Sequence, residues 1–158
     1  NSSKIDVIIS SGYKWMLGGY GNGFVSFSKS ISLKHFNANC NFDDLFDLFE
    51  PGHLDTLSFG SLCFSLNNLS TYGIKKIENK INVLSTYARK RFEEKNLLTE
   101  KVEKREKHSN IFNIKGNDVT HNELLRHKII CSKRGAGLRL SFNFYNTIDE
   151  INFLMSKL

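Results

Sequence analysis

The sequence predicts an α/β protein. Short β-branched and alternating runs open the chain, apolar residues at helical spacing fill its middle, and strand and helix signals mix in its C-terminal third.

Taken in order, Ile5-Asp6-Val7-Ile8-Ile9 has the composition of a buried strand. A glycine-rich loop follows, and Phe24-Val25-Ser26-Phe27-Ser28 alternates apolar with polar as a second strand. Residues 29–53 are irregular and rich in Asn, Asp and Phe, too apolar for a free linker, and are expected to pack against something such as a second subunit. Leu57, Leu62, Leu66 and Leu69 lie on a helical repeat that ends near Gly73, a C′ glycine. Ile74, Ile77, Ile81, Leu84 and Ala88 then step by three and four with charges between them, the pattern of a long amphipathic helix. Beyond it, Ile111 to Ile114 reads as a strand and Asn122 to His127 as a short helix. Ile129-Ile130-Cys131 and Leu138 to Phe142 read as strands on either side of a Gly-Ala-Gly turn. Thr147 and Glu150 form a capping box that opens a terminal helix with Ile148, Ile151, Leu154 and Leu158 on one face.

Composition bounds the function. The 158 residues carry 22 Lys and Arg against 16 acids, a net charge of +6, so nucleic acid has to be considered. The excess is local: Lys75 to Lys107 holds eleven basic and six acidic residues with the signs interspersed, as on a solvated helix face. No aromatic residues interleave as stacking platforms, and no zinc-finger, RRM or KH pattern occurs, so neither nucleic acid nor, without a long apolar run, a membrane is an expected partner. Cys40, Cys63 and Cys131 are an odd number without a CxxC pair, which indicates neither a disulfide framework nor a zinc site; a cytoplasmic location is expected. The chain opens on Asn1 and runs almost at once into a strand, and so reads as a piece of a longer protein.

The densest chemical feature is Ser10-Ser11-Gly12-Tyr13-Lys14-Trp15-Met16-Leu17-Gly18-Gly19-Tyr20-Gly21-Asn22-Gly23. A lysine between two aromatics can sit in a partly dry setting, which suits an amine for attack on a carbonyl. Glycines beside it would let the backbone approach a bulky ligand, and serine hydroxyls with exposed amides could accept a phosphate. The segment lacks the G-K-[ST] of a Walker loop, and it leads into a strand where a dinucleotide fingerprint would lead into a helix. On residues alone, an ordinary hairpin with a surface lysine stays open.

Three segments in order resemble the class V aminotransferase-like pyridoxal-phosphate enzymes, the group that includes cysteine desulfurases, selenocysteine lyase and kynureninase. Ser11-Gly12-Tyr13-Lys14-Trp15 with Gly19-Tyr20-Gly21-Asn22-Gly23 matches the lysine segment S-x-(H/Y)-K followed by a glycine-rich turn. Phe49-Glu50-Pro51-Gly52-His53-Leu54-Asp55 is similar to (Y/F)-E-x-G-T-x-N, and Arg134 to Thr147 resembles the R-x-G-x-x-R-(I/L)-S-x-x-x-Y-N-T ending.

The resemblance implies the C-terminal part of a fold-type I transferase: the end of the large pyridoxal-phosphate domain over residues 1–73, a connecting helix over 74–95 and a small α+β domain over 96–158. It implies that Lys14 carries pyridoxal 5'-phosphate as a Schiff base and moves the proton at the substrate Cα. It further implies that Ser11 and Tyr13 bond the phosphate, Tyr13 standing where relatives have histidine. His53 falls where relatives have a threonine that reaches the neighbouring subunit's phosphate, so a homodimer is implied as well. Arg139 is implied to hold the α-carboxylate of an amino-acid substrate. Only Gly-Ala-Gly-Leu separates Arg134 from Arg139, leaving no room for a desulfurase cysteine loop, and Cys131 reads as a buried strand thiol. An aminotransferase or lyase is expected. The family's pyridine-nitrogen aspartate, ring-stacking residue and phosphate turn all precede the lysine segment, so the isolated piece is expected to be inactive. A truncated or degenerate relative with a structural or dimerisation role is the alternative, followed by a basic nucleic-acid-binding module.

Overall fold

The computed structural model describes residues 5–28, 49–50 and 52–158. The chain divides into two compact units, Asn1–Tyr72 and Gly73–Leu158.

In the first unit, β1 (Val7–Ser11) and β2 (Gly23–Phe27) form an antiparallel pair, with Val7 opposite Phe27 and Ser11 opposite Gly23. Both expected strands are present, but among the described residues β1 is not the buried strand expected: Ile8 is 43% and Ile9 76% exposed. The packing expected of residues 29–53 falls mostly outside the described residues. Helix α1 (Thr56–Tyr72) begins at Asp55, whose carboxylate caps it by accepting from the Leu57 N–H at 3.0 Å and the Ser58 hydroxyl at 2.5 Å. No residue of α1 is charged, and Leu57 and Phe64 are among its most exposed side chains.

The second unit starts at Gly73, whose φ of 101° only glycine adopts readily. Helix α2 (Ile74–Glu94) buries Leu84, Ala88 and Phe92 into the unit's core, as the apolar period requires. Its other faces carry ion pairs one turn apart, Lys75–Glu78 at 2.7 Å, Arg89–Glu93 at 2.6 Å and Arg91–Glu94 at 2.8 Å. The helix ends in a Schellman motif: Asn96 takes a φ of 51°, and Leu97 N–H reaches back to the Phe92 carbonyl at 2.9 Å.

The short helix α3 (Glu100–Glu103) leads to β3 (Ile111–Lys115), α4 (Asp118–Arg126), β4 (Ser132–Arg134), β5 (Gly137–Ser141) and α5 (Ile148–Met155). The antiparallel sheet runs β3-β5-β4. One face turns Phe112, Ile114, Leu138 and Leu140 into the core beside Leu124, Ile151 and Leu154. Phe92 packs edge-on against Phe112 at 5.4 Å between centroids and is fully buried; its burial alone is worth about 1.5–3 kcal/mol. The capping box of Thr147 and Glu150 is present.

The strand expected at Ile129-Ile130-Cys131 instead begins at Ser132. Ile129 closes α4 as a second Schellman motif, donating to the Leu124 carbonyl at 2.9 Å while Lys128 takes a φ of 61°. Cys131 lies just before β4, half-buried against the core, and burial pushes its thiol pKa up.

Candidate active site

Lys14 sits on a closed loop at the end of β1. The β-ladder extends one rung past Ser11, with Gly12 N–H donating to the Asn22 carbonyl at 3.1 Å. Gly18 N–H then donates to the Gly12 carbonyl at 2.8 Å and closes a neck, so that residues 13–17 project as a small loop. Within it, Leu17 N–H bonds the Lys14 carbonyl at 3.2 Å, and Leu17 takes a left-handed φ of 56°.

The Lys14 side chain is exposed, with its Nζ 5.3 Å from the Tyr13 ring centroid. Tyr13 in turn stacks on Tyr20 at 5.1 Å. Tyr13 and Trp15 are 40% and 39% exposed, so among the described residues the flanking aromatics leave the amine exposed, where the sequence suggested a partly dry setting. The ammonium rests beside one aromatic ring, open to solvent.

The glycines serve a purpose the sequence did not disclose: they admit helix α1. A Cβ on Gly12 or Gly18 would lie 2.8 or 2.6 Å from Leu62 Cδ1. One on Gly19 would lie 3.2 Å from the Ser61 hydroxyl, and one on Gly21 3.0 Å from that of Ser58. Ser65 donates to the Met16 carbonyl at 2.5 Å. Ser58, Ser61, Leu62 and Ser65 thus form one face of three serines and a leucine seated on the lysine loop. Asn22 completes the contact, donating to the carbonyls of Gly18 at 2.6 Å and Ser58 at 2.8 Å. Sequence reasoning gave none of these five residues a role at the lysine loop; the serine spacing along an uncharged helix was the available signal.

Ser11 ends β1 and is exposed. His53 is exposed in the segment before α1, beside Gly52 at a φ of 77°. Lys14 and Tyr13 are in contact; among the described residues no hydrogen bond joins Ser11 or His53 to them.

Arg139 belongs to the second unit. It lies on the central strand β5, opposite Asn113 of β3 and Ser132 of β4, on the sheet face turned away from the core. Its side chain is exposed, and among the described residues it enters no ion pair. The guanidinium can therefore receive a carboxylate without displacing one. The β4–β5 turn places Gly135 at a φ of 57° between Arg134 and Gly137, the opening residue of a II′ hairpin.

The sequence matches no family model and no curated protein. The structure is similar to that of 8-amino-7-oxononanoate synthase from Francisella tularensis, with a TM-score of 0.64 at 17% identity. The likeness covers 96% of this chain and 44% of the synthase, so the chain spans less than half of that protein's length.

The likeness shows a mixed α/β fold consistent with the C-terminal portion of a fold-type I transferase. At this identity the likeness carries the fold alone. The donor set around Lys14 would suit such a cofactor chemically: an exposed lysine amine for an aldehyde, with the Tyr13 hydroxyl on the same loop and the Ser11 hydroxyl at the end of β1 for a phosphate. No helix among the described residues is long and apolar enough to cross a membrane.

Proposed function

We propose that the chain is part of a cytoplasmic enzyme of the class V aminotransferase-like group, acting on an amino acid with pyridoxal 5'-phosphate bound at Lys14. One observation carries this reading above the others: the lysine of the S-G-Y-K-W segment projects on a closed loop after a strand, solvent-accessible, in a chain with the fold-type I architecture.

Pyridoxal phosphate supplies the electron sink for chemistry at an amino-acid Cα. Lys14 holds the cofactor's aldehyde and afterwards moves the proton at the substrate Cα. Tyr13 and Ser11 donate hydrogen bonds to its phosphate, and His53 serves the phosphate of a second subunit. Arg139 fixes the substrate through its α-carboxylate, for which a planar guanidinium fork is suited. Support for this last role is its exposed position among Asn113 and Ser132, with its charge uncommitted among the described residues.

Aminotransfer or elimination fits better than sulfur extraction through a cysteine. Cys131 packs half-buried against the core with its thiol pKa raised, which suits a packing residue rather than a nucleophile. A homodimer belongs to the reading, and Leu57 and Phe64, 84% and 70% exposed on the uncharged α1, support a covered surface there. The ion pairs along α2 support a solvated helix face rather than a nucleic-acid surface.

We further propose that these 158 residues alone turn over no amino acid measurably. The test of the function is the visible absorbance of the cofactor on the protein in its longest natural form. It should appear with pyridoxal phosphate, change on adding amino acids, and be lost in Lys14→Ala. A band that survives Lys14→Ala sinks the assignment.

A further inference from the structure

The geometry points to Asn22 as the residue that positions Lys14, a role that rests on the reading of Lys14 as the cofactor-binding lysine. Lys14 reaches solvent from a loop with a narrow neck, formed where Gly18 N–H meets the Gly12 carbonyl at 2.8 Å. Asn22 holds both sides of this neck. Its main-chain carbonyl accepts from Gly12 N–H at 3.1 Å, and its side-chain amide donates to the Gly18 carbonyl at 2.6 Å. The same amide nitrogen donates to the Ser58 carbonyl in the first turn of α1 at 2.8 Å. One side chain thereby joins the lysine loop to the helix beneath it.

Both hydrogens of the amide are used, which fixes its orientation, since the two acceptors are carbonyls. The other end of the amide is left over. Asn22 Oδ1 is buried and, among the described residues, has no hydrogen-bond partner; it lies so close to Gly12 that a Cβ there would stand 1.9 Å from it. Leaving a buried acceptor unmade is unfavourable, and an apolar residue of similar shape would avoid it. The asparagine is explained by what its nitrogen does: it fixes the loop geometry at the neck. Glycine at 12 follows from the asparagine, because no other residue leaves room for its oxygen.

Holding the neck matters because, among the described residues, the Lys14 side chain is anchored only beside the Tyr13 ring. A loop tied at both ends restricts the directions in which the amine can project, and such restriction favours reaction with a held aldehyde. Asn22 touches no reacting atom in this arrangement and acts through the loop.

Asn22→Leu keeps the shape and removes both the clamp and the orphan oxygen. Hydrogen exchange followed by mass spectrometry, on the protein in its longest natural form, should show the amides of residues 12–18 exchanging about tenfold faster, as loss of one or two net hydrogen bonds implies. Exchange in the sheet β3-β5-β4 should not change. Borohydride trapping of pyridoxal phosphate at Lys14 should slow by a similar factor, while trapping at exposed Lys75 stays the same. In the unaltered protein, the Asn22 side-chain amide protons should exchange more slowly than those of the exposed Asn67, a measurement that needs no variant. Equal exchange of loop 12–18 in both proteins, or Asn22 amide protons exchanging as fast as those of Asn67, would overturn the role of Asn22. Faster loop exchange in a protein whose unaltered form traps no cofactor at Lys14 would instead keep the clamp and remove the function proposed for the lysine.

Discussion

Asn113 stands directly opposite Arg139 in the β3–β5 pairing, and its amide donates across the sheet to the Arg134 carbonyl at 3.4 Å. The outward face of the small sheet is thus polar at its centre, with Arg139 exposed and Ser132 facing it from β4.

Arg139→Gln should therefore separate stability from binding. The side chain leaves no buried partner behind, so unfolding free energy should change by no more than about 0.5 kcal/mol. Affinity of the cofactor-loaded protein for an amino acid should fall about 10- to 100-fold, the range for hydrogen bonds to a charged group. A stability loss with unchanged amino-acid affinity would assign Arg139 to the fold.

Tyr13 stacks on Tyr20 through its ring, which leaves the hydroxyl for another partner. Tyr13→Phe keeps the stack and removes the donor, so pyridoxal phosphate affinity should weaken about tenfold or more. Folding should be nearly unaffected. Titration of the visible band measures the first, and urea unfolding the second; an unchanged titration would free Tyr13 from the phosphate.

Two glycines in the first unit should respond oppositely to alanine. Gly12→Ala forces a methyl against Asn22 and Leu62 and should destabilise by about 1–3 kcal/mol. Gly60→Ala, in the interior of α1 with nothing within 4 Å of the added carbon, should stabilise by about 0.5–1 kcal/mol. Equal effects in urea unfolding would mean that α1 does not sit on the lysine loop.

Acid should weaken the protein partly through Asp118. Lys133, bonded to it at 2.8 Å, holds its carboxyl pKa below the ordinary 3.8. A depressed carboxyl contributes stability that is complete above the unfolded value and is lost as the pH falls through the lower folded value. Asp55 behaves in the same sense through the Ser58 hydroxyl and Leu57 N–H. The Tm of Asp118→Asn should fall less steeply than that of the unaltered protein between about pH 5 and pH 2, and the difference should shrink in high salt. Parallel curves would show that the pair does not act in solution.

Much of the fold was legible because burial imposes periodicity. Ile77, Ile81, Leu84 and Ala88 marked α2, and Thr147 with Glu150 marked the start of α5, since a capping box is written in side chains. The β4 strand was misplaced because α4 ends in a left-handed lysine. Lys128 in place of glycine hid the Schellman motif that captures Ile129. Among the residues proposed for function, Lys14, Tyr13 and Arg139 stood out by residue type and order. The supporting face did not: Asn22 bonds the Ser58 carbonyl across 36 positions of chain and Ser65 the Met16 carbonyl across 49, while Ser61 lies close over Gly19, and no local pattern exists for such contacts. The glycines were visible, but only the packing of Leu62 shows that a helix, rather than a ligand alone, needs the space.

The most direct measurement is a peptide map after borohydride reduction of the protein with less than one equivalent of pyridoxal phosphate. The label should concentrate on the peptide containing Lys14, ahead of exposed lysines such as Lys75, and should vanish from that position in Lys14→Arg without moving to another. Label spread over the surface lysines in proportion to their exposure, unchanged in total by Lys14→Arg, would contradict the assignment of Lys14 and with it the proposed enzyme.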